Sequence, residues 1–213
     1  LLERLMGRYP AAVLTGLDLA PNMLQQAATR LGPAIRLVSG DAEQLPFSTA
    51  CFATVLSSST FQWLEHLQSC FKEVRRVLLP DGSFVFSLFG EGTLCELGEC
   101  WRQAWQNCGK VVTETGNGTH RFHTCDDVRT ALEAAGFRDI QLAAVREVDW
   151  YPDVPHLLHS IKRIGAGTSR PPAGGGLGWR RLLHEMAAIY EDRYGTAGGI
   201  PASYGVIYAA GRR

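Results

Sequence analysis

The sequence lacks the features that mark a membrane protein or a nucleic-acid-binding protein. No apolar run approaches the roughly 18 residues that a membrane-spanning helix needs, and no basic segment followed by an apolar core opens the chain. Charge of one sign is not in excess, because 21 Lys and Arg residues balance 21 Asp and Glu residues. We therefore expect neither nucleic acid nor a membrane surface as a partner.

Cysteine pairs are also lacking, since the six cysteines contain no Cys-x-x-Cys motif and stand at scattered positions 51, 70, 95, 100, 108 and 125. This pattern favours reduced thiols in a cytoplasmic protein over a disulfide framework or a zinc site, and we expect no bound metal. With 213 residues, 46% of them hydrophobic, the chain can bury one substantial core. We expect a monomer with a single domain over residues 1–213.

A Gly-x-Gly-x-x-Gly loop is missing in front of the first acidic strand end. Residues 1–8 have the pattern of a helix tail, and the apolar strand predicted over residues 12–17 ends at Asp18. A carboxylate at the carboxyl end of a parallel strand can accept hydrogen bonds from both ribose hydroxyls of a nucleotide. Support of the turn into the next helix, which opens at Pro21, explains Asp18 equally well. We expect the first strand and its Gly-rich loop to precede Leu1, so the sequence looks amino-terminally truncated.

A second carboxylate follows the next predicted strand, residues 35–39, in the segment Gly40-Asp41-Ala42-Glu43. In a doubly wound sheet both strand ends open onto the same edge of the ligand crevice. There Asp41 could accept a hydrogen bond from the amine of an adenine, while the Ala42 backbone N–H faces a ring nitrogen. Given Asp18 upstream, adenosine binding is favoured over a solvated polar loop.

Strands and helices alternate along the rest of the chain, which predicts an α/β fold with a mainly parallel sheet. Apolar spacing predicts a helix over residues 64–78, with a tight turn at 80–82 and core-facing Trp101 and Trp105 in a helix over 90–108. Thr124 is placed to cap a helix that Gly136 closes. The predicted strands are residues 52–57, 83–88, 137–150 and 202–210.

Three motifs in this order resemble class I S-adenosylmethionine-dependent methyltransferases: Gly-Leu-Asp-Leu-x-Pro-x-Met, Gly-Asp-Ala-Glu-x-Leu-Pro-Phe and Glu-Val-x-Arg-Val-Leu-x-Pro-x-Gly. The resemblance implies a Rossmann-like sheet with an antiparallel last strand and S-adenosylmethionine as cofactor. It implies that Asp18 binds the ribose, that Asp41 and Ala42 contact the adenine, and that Ser57 and Ser58 line the methionine side. We place Leu19, Met23 and Glu43 in the same cofactor site. Ala53 departs from the family, where many members have Asp.

Residues 151–200 separate the last two predicted strands, far more than a hairpin needs. This helical insert carries two apolar stripes, which comprise Val154, Leu157, Leu158, Ile161 and Ile164, then Trp179, Leu182, Leu183, Met186 and Tyr190. Cationic and imidazole side chains occupy the other faces, and the glycine-dense segment 165–178 joins the two helices. We interpret the insert as a lid on a core of residues 1–150 and 201–213. Its cations indicate an anionic substrate or carrier, although a solvated basic face is as good an explanation for any one of them.

The insert resembles one family in particular, through Tyr-Pro-Asp-Val-x-x-Leu-Leu-x-Ser-Ile-Lys-x-Ile-Gly-Ala, Gly-x-x-Arg-Arg-Leu-Leu and Ile-Pro-Ala-Ser-Tyr-x-Val-Ile-Tyr. Together with Phe61-Gln62-Trp63, these segments are similar to the malonyl-acyl-carrier-protein O-methyltransferases of biotin synthesis. The resemblance implies methyl esterification of the free carboxylate of a malonyl group on acyl carrier protein. The predicted carboxylate or carrier anchors are Arg180 and Arg181, then Lys162 and Arg163. Gln62, Trp63 and Tyr204 are candidates for the pocket wall.

A carboxylate acceptor needs no general base, because its pKa near 4 leaves it ionised at neutral pH. The sequence has no His/Asp or Cys/His arrangement that is typical of a general base, so we predict no catalytic base. Other functions stay open: methylation of another small acid, or of a quinone precursor with His66 as base. A nucleotide-binding oxidoreductase would use Asp18 equally well, although the segment Gly40-Asp41-Ala42-Glu43 argues against that function. A non-catalytic α/β fragment is the third alternative.

Overall fold

The computed structural model describes residues 1–64, 66–109, 122–163 and 177–213, with the side chains of Ala34 and Leu177 set aside. The chain divides into two compact units: unit 1 comprises Leu1–Leu88, Thr124–Ala143 and Ile207–Arg213, and unit 2 comprises Phe89–His123 and Ala144–Val206. The helices are α1 (Leu2–Arg8), α2 (Pro21–Leu31), α3 (Leu67–Val77), α4 (Cys95–Asn107), α5 (Cys125–Ala135), α6 (Val154–Arg163) and α7 (Leu177–Tyr194). The strands are β1 (Thr15–Asp18), β2 (Arg36–Ser39), β3 (Phe52–Ser58), β4 (Leu78–Gly90), β5 (Arg138–Tyr151) and β6 (Ile200–Arg212).

The strands form two sheets. β1 and β2 are a parallel pair in which Asp18 lies opposite Ser39. The other sheet has the order β3-β4-β6-β5, and β3 and β4 are parallel, with Ser58 opposite Ser87. In the part of the chain described, β1 and β3 are each hydrogen-bonded to one neighbouring strand, and no strand precedes β1. These observations confirm the predicted mainly parallel α/β fold.

The last two strands run in opposite directions, as predicted. Gly211 near the end of β6 packs against the side chain of Phe137, just before β5 begins. At the other end, a side chain at Gly199 would collide with the carbonyl oxygen of Tyr151. Because the start of one strand lies beside the end of the other, β5 and β6 are antiparallel.

Several predicted element boundaries were wrong near turns. The first strand begins at Thr15 and not at residue 12, because the N–H of Ala12 closes a turn onto the Tyr9 carbonyl at 3.0 Å. The predicted helix over residues 64–78 begins only at Leu67, since Phe61–Trp63 form a separate 3-10 turn. The predicted helix over 90–108 begins at Cys95, after a turn in which Leu94 has a φ of 53°.

Residues 80–82 lie inside a continuous strand and do not precede one. β4 begins at Leu78, where it pairs with Phe52, and its register then shifts so that Ser83 pairs with Thr54. The extra residues are accommodated as a bulge, with Asp81 at a φ of 59°. The turn chemistry of Pro-Asp-Gly therefore bends the strand without interrupting it.

Each unit has its own hydrophobic core. The unit 1 core packs the apolar face of α3 against β4 and α5, and its most buried members include Phe71, Phe84, Leu88 and Leu132. Thr124 caps α5 as predicted, in a reciprocal capping box with Asp127, and Gly136 ends that helix at a φ of 86°. In unit 2 the described residues of both predicted stripes pack among α4, α6 and α7, with Leu157, Leu182, Met186 and Tyr190 fully enclosed and the others buried or partly buried. Ile164 and the segment 165–176 lie outside the described residues.

Trp101 takes the predicted core-facing role and stacks on Trp179 with ring centroids 5.3 Å apart. All six cysteines are free thiols. In the described part of the chain, no helix is long and apolar enough to span a membrane.

Candidate active site

Asp18 is the last residue of β1 and is half-buried. Its Oδ1 accepts a hydrogen bond from the N–H of Ala20 at 2.8 Å, which supports the turn into α2, a helix whose first turn has no side-chain cap. Oδ2 has no hydrogen-bond partner among the described residues. One oxygen therefore serves the turn, and the other remains available to a ligand hydroxyl.

Asp41 lies close to Asp18, as the sequence predicted for neighbouring strand ends. The N–H of Gly40 donates to the Asp18 carbonyl at 3.2 Å, which ties the segment after β2 to the end of β1. Asp41 itself is exposed and its Oδ1 accepts from the N–H of Glu43 at 2.9 Å. The N–H of Gln44 donates to the Asp41 carbonyl at 3.2 Å, so residues 41–44 form a closed turn that carries Ala42 and Glu43.

Two apolar side chains beside this edge are unusually exposed. Leu19, which directly follows Asp18, is 69% exposed, and Met23, in the first turn of α2, is 53% exposed. Isolated exposed apolar residues are common, but two beside a pair of carboxylates provide apolar contact for a nucleoside. This surface fits an adenosine group: carboxylate acceptors for its hydroxyls and amine, and apolar side chains for its ring.

Ser57 and Ser58 end β3 in the other sheet. The Ser87 hydroxyl donates to Ser58 Oγ at 3.4 Å, and the N–H of Ser59 donates to the Ser87 carbonyl at 2.8 Å. Both serines therefore stand at the carboxyl end of a parallel strand, the position at which ligands of open α/β sheets bind.

The pocket-wall candidates after β3 differ in exposure. Gln62 is buried, at 2% exposure, and its Nε2 donates to the Ser59 carbonyl at 2.7 Å, so it supports the backbone that follows β3. Trp63 is 50% exposed. His66, the base that a quinone acceptor would require, is exposed at the start of α3.

The four predicted anchors are all in unit 2 and all exposed. Lys162 and Arg163 end α6, and Arg180 and Arg181 lie in the first turns of α7. Within the described ranges none of the four forms an ion pair with an acidic side chain. Their positive charge is therefore available to an external anion.

Tyr204 on β6 is half-buried and forms a hydroxyl pair with Tyr151, the last residue of β5, at 3.1 Å. Its ring also contacts Phe89, with centroids 5.7 Å apart. Burial, together with the hydrogen bond to Tyr151, raises the pKa of Tyr204 above its ordinary value, so the phenol stays protonated at neutral pH. The pair therefore offers a hydroxyl donor at the edge where β5 ends.

A buried carboxylate next to Tyr204 was not anticipated from the sequence. Glu96 on α4 is 5% exposed, accepts from the Ser203 N–H at 3.1 Å and from the Ser203 hydroxyl, and pairs with Arg146 at 3.3 Å. Arg146 also donates two hydrogen bonds to Ser203 Oγ, at 2.8 and 3.1 Å. These contacts hold the backbone of β6 at Ser203, the residue that precedes Tyr204. An isolated Glu in a helix pattern carries no signal of such burial.

The chain is similar in sequence to known methyltransferases. Residues 1–86 match the family model described as a methyltransferase domain. The malonyl-[acyl-carrier protein] O-methyltransferase of Geobacter sulfurreducens is 48% identical over 99% of this chain and 78% of the relative. The enzyme of the same name from Brevibacillus brevis is 33% identical over 94% of this chain and 72% of the relative.

Solved structures share the fold at low sequence identity. The YcgJ protein of Bacillus subtilis has a TM-score of 0.59 at 18% identity, covering 94% of this chain and 82% of its own. A phosphoethanolamine N-methyltransferase 2 of Haemonchus contortus, solved with S-adenosylhomocysteine, has a TM-score of 0.57 at 16% identity, covering 100% of this chain and 46% of its own.

The high identity to the Geobacter enzyme, together with the methyltransferase domain matched over residues 1–86, places this protein in the class of α/β methyltransferases, with S-adenosylmethionine as the cofactor, as predicted. Within that class, its identity to the Geobacter enzyme is high and covers nearly the whole chain. The chain belongs to the malonyl-[acyl-carrier protein] O-methyltransferase family. The predicted family is thereby confirmed, and the oxidoreductase and quinone alternatives are not favoured.

Proposed function

We propose that this protein transfers the methyl group of S-adenosylmethionine to the free carboxylate of a malonyl group on acyl carrier protein, as a step in biotin synthesis. The observation that carries the proposal is the 48% identity to an enzyme named for this reaction, over 99% of the chain. The reaction forms a bond between a carboxylate oxygen and the methyl carbon and breaks the bond between that carbon and the sulfonium sulfur. We expect the protein to act in the cytoplasm, where a reducing environment keeps thiols free.

The candidate cofactor residues fit this role chemically. Asp18 has one carboxylate oxygen to which no described residue donates a hydrogen bond, which can accept from a ribose hydroxyl, and Asp41 lies on the adjoining turn for the adenine amine. Leu19 and Met23 supply apolar contact beside them. When bound, S-adenosylmethionine supplies an electrophilic methyl group on a positively charged sulfur. Ser57 and Ser58 are proposed to line the methionine side.

On the substrate side, the chain's residues need to position an acceptor that is already nucleophilic. A malonyl carboxylate is ionised at neutral pH because its pKa is near 4, so no side chain has to remove a proton. Catalysis would then consist of in-line positioning and exclusion of water. We propose that Tyr204, Gln62 and Trp63 contribute to the pocket wall. The helical insert over residues 151–200 would serve as a lid that presents its cations to the carboxylate or to the acidic carrier.

The direct test is to incubate the protein with S-adenosylmethionine and malonyl-acyl carrier protein and to measure the intact mass of the carrier. We expect one added methyl group on the malonyl form. Acetyl-acyl carrier protein, which lacks a free carboxylate, is the matched control and should stay unmodified. An unmodified malonyl carrier alongside a methylated free small acid would overturn the substrate assignment.

Reversing the charge of Arg181 should weaken recognition of the carrier. For Arg181→Glu we expect the KM for malonyl-acyl carrier protein to rise about tenfold at low ionic strength, with a smaller increase at high salt, because exposed charges are screened. The affinity for S-adenosylhomocysteine should stay unchanged. Steady-state kinetics at two salt concentrations measure the first effect, and calorimetry measures the second.

Arg193→Glu is the matched control on the same helix, because Arg193 already pairs with Glu99 at 3.7 Å. We expect it to change the KM for the carrier less than Arg181→Glu does. Equal loss of cofactor and carrier affinity in Arg181→Glu would show that Arg181 is structural.

A further inference from the structure

The turn over residues 41–44 is held at both ends by groups outside it. On the incoming side, Gly40 is hydrogen-bonded to the Asp18 carbonyl and packs against the ring of Pro46. A Cβ at position 40 would lie 2.8 Å from Pro46 Cγ, so the close approach requires glycine. Residues on the two sides of the turn are therefore in contact. Side chains that hold residues 45–47, which follow the turn, also hold the turn itself.

Residues 45–47, which follow the turn, are held by two charged side chains of α3, Arg76 and Glu73. The Arg76 guanidinium donates to the Phe47 carbonyl at 2.7 Å and to the Leu45 carbonyl at 2.9 Å. The Glu73 carboxylate accepts from the N–H of Leu45 at 2.9 Å. The two side chains also bind each other through two hydrogen bonds of 2.8 Å. Both polar groups of the Leu45 backbone are thus bound by one ion pair.

This ion pair differs from an ordinary surface pair. The Arg76 and Glu73 side chains are 33% and 23% exposed, and their contacts use the planar fork of the guanidinium. The hydrogen bond from Arg76 lowers the pKa of Glu73 below its ordinary value, so the carboxylate stays ionised as an acceptor. The backbone of α3 adds a further tie, because the N–H of Ala50 donates to the Arg76 carbonyl at 2.9 Å.

We propose that Arg76 and Glu73 are positioning residues that hold the 41–44 turn in the conformation that binds the adenine of S-adenosylmethionine. The inference rests on the proposed function, because it assigns Asp41 and Ala42 to the adenine. Neither positioning residue needs to touch the cofactor. Both belong to the Glu-Val-x-Arg-Val-Leu segment, part of the third motif that resembles the methyltransferase class.

The test compares Arg76→Ala with Arg75→Ala, a neighbouring arginine on α3 that donates to the Gly136 carbonyl at 3.0 Å and does not contact the turn. Calorimetry measures the Kd of S-adenosylhomocysteine and of 5′-methylthioadenosine, which keeps the adenosine and lacks the amino acid. For Arg76→Ala we expect about tenfold weaker binding of both ligands, because charge-assisted hydrogen bonds to residues 45–47 are lost. We expect kcat to change less than the KM for S-adenosylmethionine, and Arg75→Ala to keep both affinities within about twofold.

The outcomes separate the inference from the proposed function. If the unsubstituted protein does not bind S-adenosylhomocysteine, the proposed function and the inference both fall. If it binds, and Arg76→Ala has the same affinity as Arg75→Ala, only the inference falls. Should Arg76→Ala fail to fold, Arg76→Lys keeps the charge but loses the fork, and unchanged affinity of that folded variant would contradict the inference.

Discussion

An Asp18→Ala variant is expected to bind S-adenosylhomocysteine about 100-fold more weakly than the unsubstituted protein, because hydrogen bonds from ribose hydroxyls to a carboxylate are lost. The free Oδ2 of Asp18 is the group that we assign to the ribose. Calorimetric titration gives the Kd directly. The KM for malonyl-acyl carrier protein should change much less.

Asp18 also supports the turn into α2, so the alanine variant alone cannot separate the two roles. Asp18→Asn makes the distinction, because the amide oxygen can still accept from the Ala20 N–H while the charge is lost. We expect Asp18→Asn to keep the thermal stability of the unsubstituted protein and to lose most of the cofactor affinity. Normal affinity in this variant would assign Asp18 to the turn alone.

Replacing Glu96 with alanine should lower the free energy of unfolding by about 3 kcal/mol, since it leaves the buried Ser203 N–H without an acceptor and removes the partner of Arg146. Chemical denaturation measures the loss. The matched control is Glu99→Ala on the same helix, because Glu99 is 44% exposed in its pair with Arg193. The control should cost about 1 kcal/mol or less. Equal costs would mean that the Glu96 cluster does not stabilise unit 2.

The contribution of Glu96 should depend on pH in a definite direction. Burial would raise the pKa of Glu96, but hydrogen bonds from Ser203, from the Glu96 backbone and from Cys95 together outweigh it and hold the pKa below the ordinary value of 4.5. A carboxyl whose pKa is lowered on folding stabilises the folded state above its unfolded pKa. The stabilisation is therefore present at neutral pH and is lost as the pH falls below 4.5, towards the folded pKa. Glu96→Gln should show less loss of stability over that range, in denaturation series from pH 7 to pH 3.5.

Much of the fold could be predicted from the spacing of apolar residues and from the residues that begin or end helices. The cap at Thr124, the stop at Gly136 and the buried stripe of α7 follow from local residue types, and the structure has all three. The starts of β1, α3 and α4 could not be predicted, because each depends on a turn closed by backbone hydrogen bonds or by a positive φ at a non-glycine residue. Such residues carry no compositional signal of the turn.

Some features of the candidate site could likewise be predicted from the sequence, and others could not. The proximity of Asp18 and Asp41 was predictable, because parallel strands place their carboxyl ends on one edge. The contacts of Arg76 with Leu45 and Phe47 were not, since they join residues about 30 positions apart through backbone carbonyls, which every residue has. The burial of Glu96 depends likewise on Ser203, more than 100 positions away. Long-range polar contacts of this kind require the folded backbone.

The strand β6 has a consequence for how the protein is made. Ile207 and Ala209 are buried in the core of unit 1, and the N–H of Arg213 donates to the Gly82 carbonyl. Unit 1 therefore combines segments that are far apart along the polypeptide, so a ribosome must synthesise the residues up to β6 before this core can close. Until then the nascent protein exposes the flank of β4 that β6 later covers, an unpaired strand edge beside Phe84 and Phe86. We expect expression at lower temperature or with added chaperones to increase the soluble yield, because either gives the last strand time to pair.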